Sequence, residues 1–264
     1  HLNTTCASKT AFGYHAGYSN TTGQRIVAIG KGALYTHNVT DASSTNNVSV
    51  GYESSYSTTT GIDNTVLGSS SFYSNTTGSN NVALGRLALY SNTAAGNNVA
   101  VGYQALYSNT TGTTNTSIGK QALYSNTTGI RNVALGTQVL NDSTTASDNV
   151  GVGYRALYKA TTGYQNVCVG KDAGGEIRSG LNNVFIGFST GNYTVDTTTG
   201  SGNVIVGNFS RSTAVGGASG DYSMGLGYDL ACAGGYTTLG QSSSDIRAAH
   251  GVATWSTVSD ERYK

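Results

Sequence analysis

Seven tyrosines, Tyr35, Tyr56, Tyr73, Tyr90, Tyr107, Tyr124 and Tyr158, recur in one register of the chain. A row of phenol rings offers one clear chemistry: an aromatic face can stack on the C–H face of a sugar while the hydroxyl stays polar. Tyr90, Tyr107 and Tyr124 are accordingly candidate glycan contacts. The rival reading has the rings cover neighbouring repeats or a subunit seam, with their hydroxyls in water. The regularity of the row favours that rival.

Other reactive residue types are sparse. Hydrolysis of a glycosidic bond needs two carboxyl groups flanking the scissile bond. Asp and Glu total 13, and the adjacent pair Asp260 and Glu261 lies in the tail, so a polysaccharide depolymerase is the weakest functional reading. Cys6, Cys168 and Cys232 share no metal-ligand spacing, and neither do His1, His15, His37 and His250. No metal and no cofactor is expected. Cys168 stands where sister repeats carry Ala or Ser, and reads as a small buried side chain. Triplets such as Asn75-Thr76-Thr77 match a glycan acceptor, but Asn and Thr are abundant enough to produce them unavoidably.

What positions these residues is a repeat. Between Asn81 and Gly136 a 17-residue unit is written almost without variation: Asn81-Val82-Ala83-Leu84-Gly85, Asn98-Val99-Ala100-Val101-Gly102, Asn115-Thr116-Ser117-Ile118-Gly119 and Asn132-Val133-Ala134-Leu135-Gly136. A fixed period of this length marks stacked supersecondary units. The repeat glycine begins at Gly13 and Gly30, slips by four residues before Gly51, then keeps a spacing of 17 to Gly187. Gly207, Gly227 and Gly240 follow at irregular steps.

Val99 and Val101 alternate with Asn98, Ala100 and Gly102, which is the period of a strand. The bulky face (Val82 and Leu84, Val133 and Leu135) is expected to point into the coil, leaving the small face for close approach of another backbone. Ala105-Leu106-Tyr107 reads as a second short strand, and Ser-Asn-Thr-Thr-Gly as a turn. The fold class is therefore all-β: a parallel β-solenoid or β-roll with 17-residue coils. Stacking should align Asn81, Asn98, Asn115 and Asn132 as an amide ladder, with Gly85, Gly102, Gly119 and Gly136 as a second column. Each coil offers few aliphatic side chains against the entropy of ordering it, so burial against copies of itself, as a homotrimeric rod, is expected.

The shaft is read over 1–240, a connector with new composition over 241–258, and a tail motif over 259–264. A net charge of +1 gives no electrostatic case for nucleic acid or an acidic membrane surface. No run of about 18 apolar residues is present to span a membrane as a helix.

The tail, Ser259-Asp260-Glu261-Arg262-Tyr263-Lys264, follows a Gly- and Ser-rich rod. It resembles the junction that opens the intramolecular chaperone domain of endosialidases and many phage tail fibres. That resemblance implies a chaperone after Lys264 that trimerises, aids folding and cuts itself off. Ser259 would be the nucleophile, Lys264 its general base and Val258-Ser259 the scissile bond, a single-turnover step in a chain that is otherwise not an enzyme. The repeats resemble shaft repeats of aquatic bacteriophage fibres. They are also similar to the shorter Asn-x-Val-Ala-Ile-Gly units in heads of trimeric autotransporter adhesins. The expectation is a homotrimeric tail fibre, located on the virion tail and extracellular. Its partners would be virion baseplate or tail proteins and a host cell-surface glycan or protein. An adhesin head is the alternative.

Overall fold

A computed structural model describes residues 8–39, 45–191, 199–213, 221–241, 245–251 and 256–257. The fold is all-β, a parallel solenoid with no helix among the described residues, and most coils are 17 residues long. The chain forms two compact units, His1–Thr137 and Gln138–Lys264.

In the first unit eight strands pair in parallel in chain order. They are β1 (Lys9–Phe12), β2 (Ile26–Ile29), β3 (Val48–Val50), β4 (Thr65–Leu67), β5 (Val82–Leu84), β6 (Val99–Val101), β7 (Thr116–Ile118) and β8 (Val133–Leu135). Register is one whole repeat per step: Val82 lies opposite Val99, and Val99 opposite Thr116. The insertion before Gly51 leaves it intact, since Val27 still faces Val48.

Strands alternate as expected, but with the opposite hand inward. Ala83, Ala100 and Ala134 are fully buried, whereas Val82, Leu84, Val99 and Val101 are half-buried on the outside. The cause is the width of the coil. Leu89, Leu106 and Leu123 come from the facing segment, are fully buried, and fill the lumen. The strand can then add little more than a methyl or hydroxymethyl group. Most coils pair a large residue on one side of the lumen with a small one on the other, although Val66 and Phe72 are both buried in one coil. In the second unit the equivalent positions are Leu140, Leu157, Gly174 and Gly191, and opposite the two glycines the strand contributes Cys168 and Phe185. A Cβ on Gly174 would lie 2.5 Å from the Cys168 sulfur, and one on Gly191 would lie 2.5 Å from the Phe185 ring.

The segment expected to be a second strand is a stacked turn. Gln104 and Leu106 have φ of 56° and 52°, as do Gln121 and Leu123 at 55° and 50°, so the backbone zigzags through the left-handed region. Alternate N–H groups run along the axis, as from Leu106 to the Ala122 carbonyl at 3.0 Å. Others close turns within the coil, as from Ala105 to the Gly102 carbonyl at 3.3 Å. Both Ala105 and Leu106 point inward and are fully buried, while Tyr107 is half-buried.

In the second unit β9 (Val150–Val152), β10 (Val167–Val169), β11 (Val184–Ile186), β12 (Val204–Val206), β14 (Met224–Tyr228) and β16 (Tyr236–Gln241) continue the parallel pattern. A second parallel pair joins β13 (Arg211–Thr213) to β15 (Ala231–Ala233). Then β17 (Ile246–Ala249) turns back antiparallel on β16, and β18 (Ser256–Thr257) pairs antiparallel with β17. The reversal falls where the composition changes in sequence. Phe185 and Ile205 enlarge the core, but Phe188 and Phe209 are only half-buried and meet edge to face at 4.9 Å.

Candidate functional site: stacked ladders and an open sheet face

The asparagines that precede each strand form the expected ladder. Asn81 donates its backbone N–H to Asn64 Oδ1 at 3.0 Å, Asn98 to Asn81 at 3.0 Å, Asn115 to Asn98 at 2.9 Å and Asn132 to Asn115 at 3.0 Å. All four side chains are fully buried. A second asparagine ladder, read from sequence only as turn residues, runs beside the first. Asn92 donates to Asn75 at 2.9 Å, Asn109 to Asn92 at 3.1 Å and Asn126 to Asn109 at 2.9 Å. The two ladders converge on the turn carbonyls: the Gly112 oxygen accepts from Asn98 at 2.9 Å and from Asn109 at 3.0 Å. Its signal was present in sequence, because Asn75, Asn92, Asn109 and Asn126 recur every 17 residues.

In the second coil His37 takes the place of the turn asparagine. Its side chain is fully buried, and Nδ1 has no hydrogen-bond partner. Burial is the main reason its pKa is lowered to about 4, with Lys9 adding to the effect and a Thr59 backbone hydrogen bond opposing it. The unfolded chain therefore binds more protons than the folded one between about pH 4 and the ordinary histidine value near 6.5. The neutral-His contribution is complete above pH ~6.5 and falls away as pH drops through about 4. The expected acid loss is roughly 3 kcal/mol. His37→Asn, which restores the ladder residue, should flatten urea-unfolding stability over this window. An unchanged pH slope would contradict the assignment.

The glycine column is also in place. Gly85, Gly102, Gly119 and Gly136 have φ of 136°, 133°, 135° and 132°. A Cβ on Gly85 would lie 2.5 Å from the Gly102 carbonyl oxygen, and one on Gly119 would lie 2.3 Å from that of Gly136. Both columns are structural.

The tyrosines stack on each other. Tyr18, Tyr35, Tyr56, Tyr73, Tyr90, Tyr107 and Tyr124 form a continuous row with ring centroids 4.8 to 5.4 Å apart and planes within 12° of parallel. Tyr107 lies 5.2 Å from both Tyr90 and Tyr124, so both its faces are occupied. A sugar cannot stack on a face already covered. The row presents ring edges and hydroxyls to its surroundings. Tyr158, in the second unit, meets the Arg155 guanidinium at 4.2 Å instead.

The outer sheet face was not expected from sequence. Each strand sends two side chains outward, and nearly all are apolar. Leu67 and Ile118 are 52% and 41% exposed in the first unit, and Met224 and Leu226 are 45% and 58% exposed in the second. Exposed apolar side chains repeated along one face of each unit make that face a candidate for contact with another molecule.

Ser259, Lys264 and the Val258-Ser259 bond lie outside the described residues, as does Cys6. Cys168 and Cys232 are buried and form no disulfide. Burial pushes both thiols up, Cys232 to about 12, so both are inert at neutral pH. No cluster of metal-ligating side chains occurs among the described residues. No protein-family model, curated protein or solved structure matches the chain, so the likeness to fibre repeats rests on the repeat motifs and the coil geometry.

Proposed function

We propose that this chain is a segment of a trimeric fibre of the phage tail-fibre kind, which projects from a virion and attaches it to a host surface. The observation that carries the reading is the half-exposed apolar ladder along the outer sheet face. The coil interior is already filled by the inward leucines and alanines, so this ladder gains burial only from another molecule. The ladder repeats in register from coil to coil, with Thr at Thr65 and Thr116, and a copy of the same chain presents the same spacing. Three such faces closing about an axis give the arrangement that the repeats and tail resemble. Contact with copies is thus assigned to the bulky outer residues, not to the small face suggested by the sequence pattern.

The remaining partners are virion tail proteins and a host-surface receptor. Self-cleavage at Val258-Ser259 by Ser259 and Lys264 belongs to the same reading. Leu84→Glu combined with Ile118→Glu tests assembly without touching the coil interior. The double variant should sediment as a monomer with an unchanged β-sheet circular-dichroism spectrum. Retention of the parent mass would contradict the proposed interface.

A further inference from the structure

One coil departs from the repeat in a way that opens a pocket. The column that follows each repeat glycine by two residues reads His15, Gly32, Glu53, Ser70, Leu87, Gln104 and Gln121 in the first unit. Every member from Glu53 to Gln121 carries its side chain with φ between 50° and 61°, so this left-handed position does not require glycine. Gly32 shares the conformation, with φ of 68°, but has no side chain. A Cβ there would lie 3.3 Å from Glu53 Cγ and 3.3 Å from the Tyr56 ring.

Beside Gly32 lies a cavity of about 220 Å³ lined by Tyr14, His15, Lys31, Tyr35, Glu53 and Tyr56. Its walls are complementary in kind. Tyr35 and Tyr56 are held parallel 4.8 Å apart by the tyrosine row and offer their edges. Tyr14 is 66% exposed and stacked on His15 at 3.8 Å, which gives the open side an aromatic wall. The exposed Lys31 ammonium lies over the Tyr52 ring at 5.5 Å, and Glu53 accepts a hydrogen bond from the Tyr52 hydroxyl. One cation and one carboxylate therefore border the cavity beside aromatic surface.

We infer that this cavity binds a single neutral pyranose unit of a glycan. The volume suits one sugar ring. Aromatic surface suits its C–H face, the Glu53 carboxylate accepts from hydroxyls, and the Lys31 ammonium donates to hydroxyl or ring oxygens. The opposed charges leave no net preference for an acidic ligand. The inference deepens the attachment reading by naming a site and a ligand class, and it places sugar contact away from Tyr90, Tyr107 and Tyr124.

The test uses the full chain and a panel of methyl glucoside, galactoside, mannoside and N-acetylglucosaminide, read by saturation-transfer difference NMR. At least one should show millimolar binding. Gly32→Leu, which supplies the side chain that Leu87 carries in a sister coil, should lose the signal at least tenfold. Tyr14→Ala, at an exposed position where folding is not at risk, should weaken it severalfold. Absence of binding by the whole panel, or undiminished binding by both variants, would overturn the assignment. Attachment to cells is measured in parallel: variants that still adhere while the NMR signal is lost leave the attachment reading standing and remove this pocket as its basis.

Discussion

Gly119→Val is expected to cost at least ~3 kcal/mol, by far more than an average surface substitution. Two independent penalties meet at this position. The backbone sits at φ of 135°, a region essentially reserved for glycine. The new Cβ would also fall 2.3 Å from the Gly136 carbonyl oxygen of the next coil. Relief requires these two coils to separate, which would stretch the bond from the Gly136 N–H to the Ile118 carbonyl, now 2.7 Å. Urea denaturation of the variant should show a sharply lowered midpoint or no folded baseline. A midpoint equal to that of the parent would mean that the glycine column does not set the coil spacing.

Asn98→Leu should be nearly as damaging for a different reason. Asn98 Oδ1 accepts the Asn115 backbone N–H at 2.9 Å, and its Nδ2 donates to the Gly112 carbonyl at 2.9 Å. Leucine would fill the volume yet leave a buried N–H without a partner, and unmade buried hydrogen bonds cost about 1–3 kcal/mol each. Gly112 retains Asn109 as a donor, so the main loss is at Asn115. The expected total is roughly 2–4 kcal/mol. Hydrogen exchange at the Asn115 amide should accelerate beyond the change in global stability. Equal protection of that amide in parent and variant would refute the ladder's energetic role.

The repeat made the fold class, the register, the asparagine ladder before each strand and the glycine column readable, because each follows from the 17-residue spacing alone. Facing was a different problem. Alternation at Val82, Ala83 and Leu84 fixes which residues share a side, but not which side is inside. Apolarity argued for Val and Leu inward. The answer depended on the facing segment, where Leu89, Leu106 and Leu123 already occupy the lumen. That segment was itself misread as a strand, since Gln104 and Leu106 carry none of the residue types that announce positive φ. The glycan pocket was hidden for the converse reason: Gly32 looks like an ordinary loop glycine until sister coils show side chains at the same dihedral.

In the proposed fibre, two further copies of the chain cover the outer Val, Leu and Ile ladder. The most direct measurement is the native mass of the soluble protein by sedimentation equilibrium. The trimer should weigh about 81 kDa, three times the 27.1 kDa chain. A stable species at 27.1 kDa over the micromolar range would contradict it.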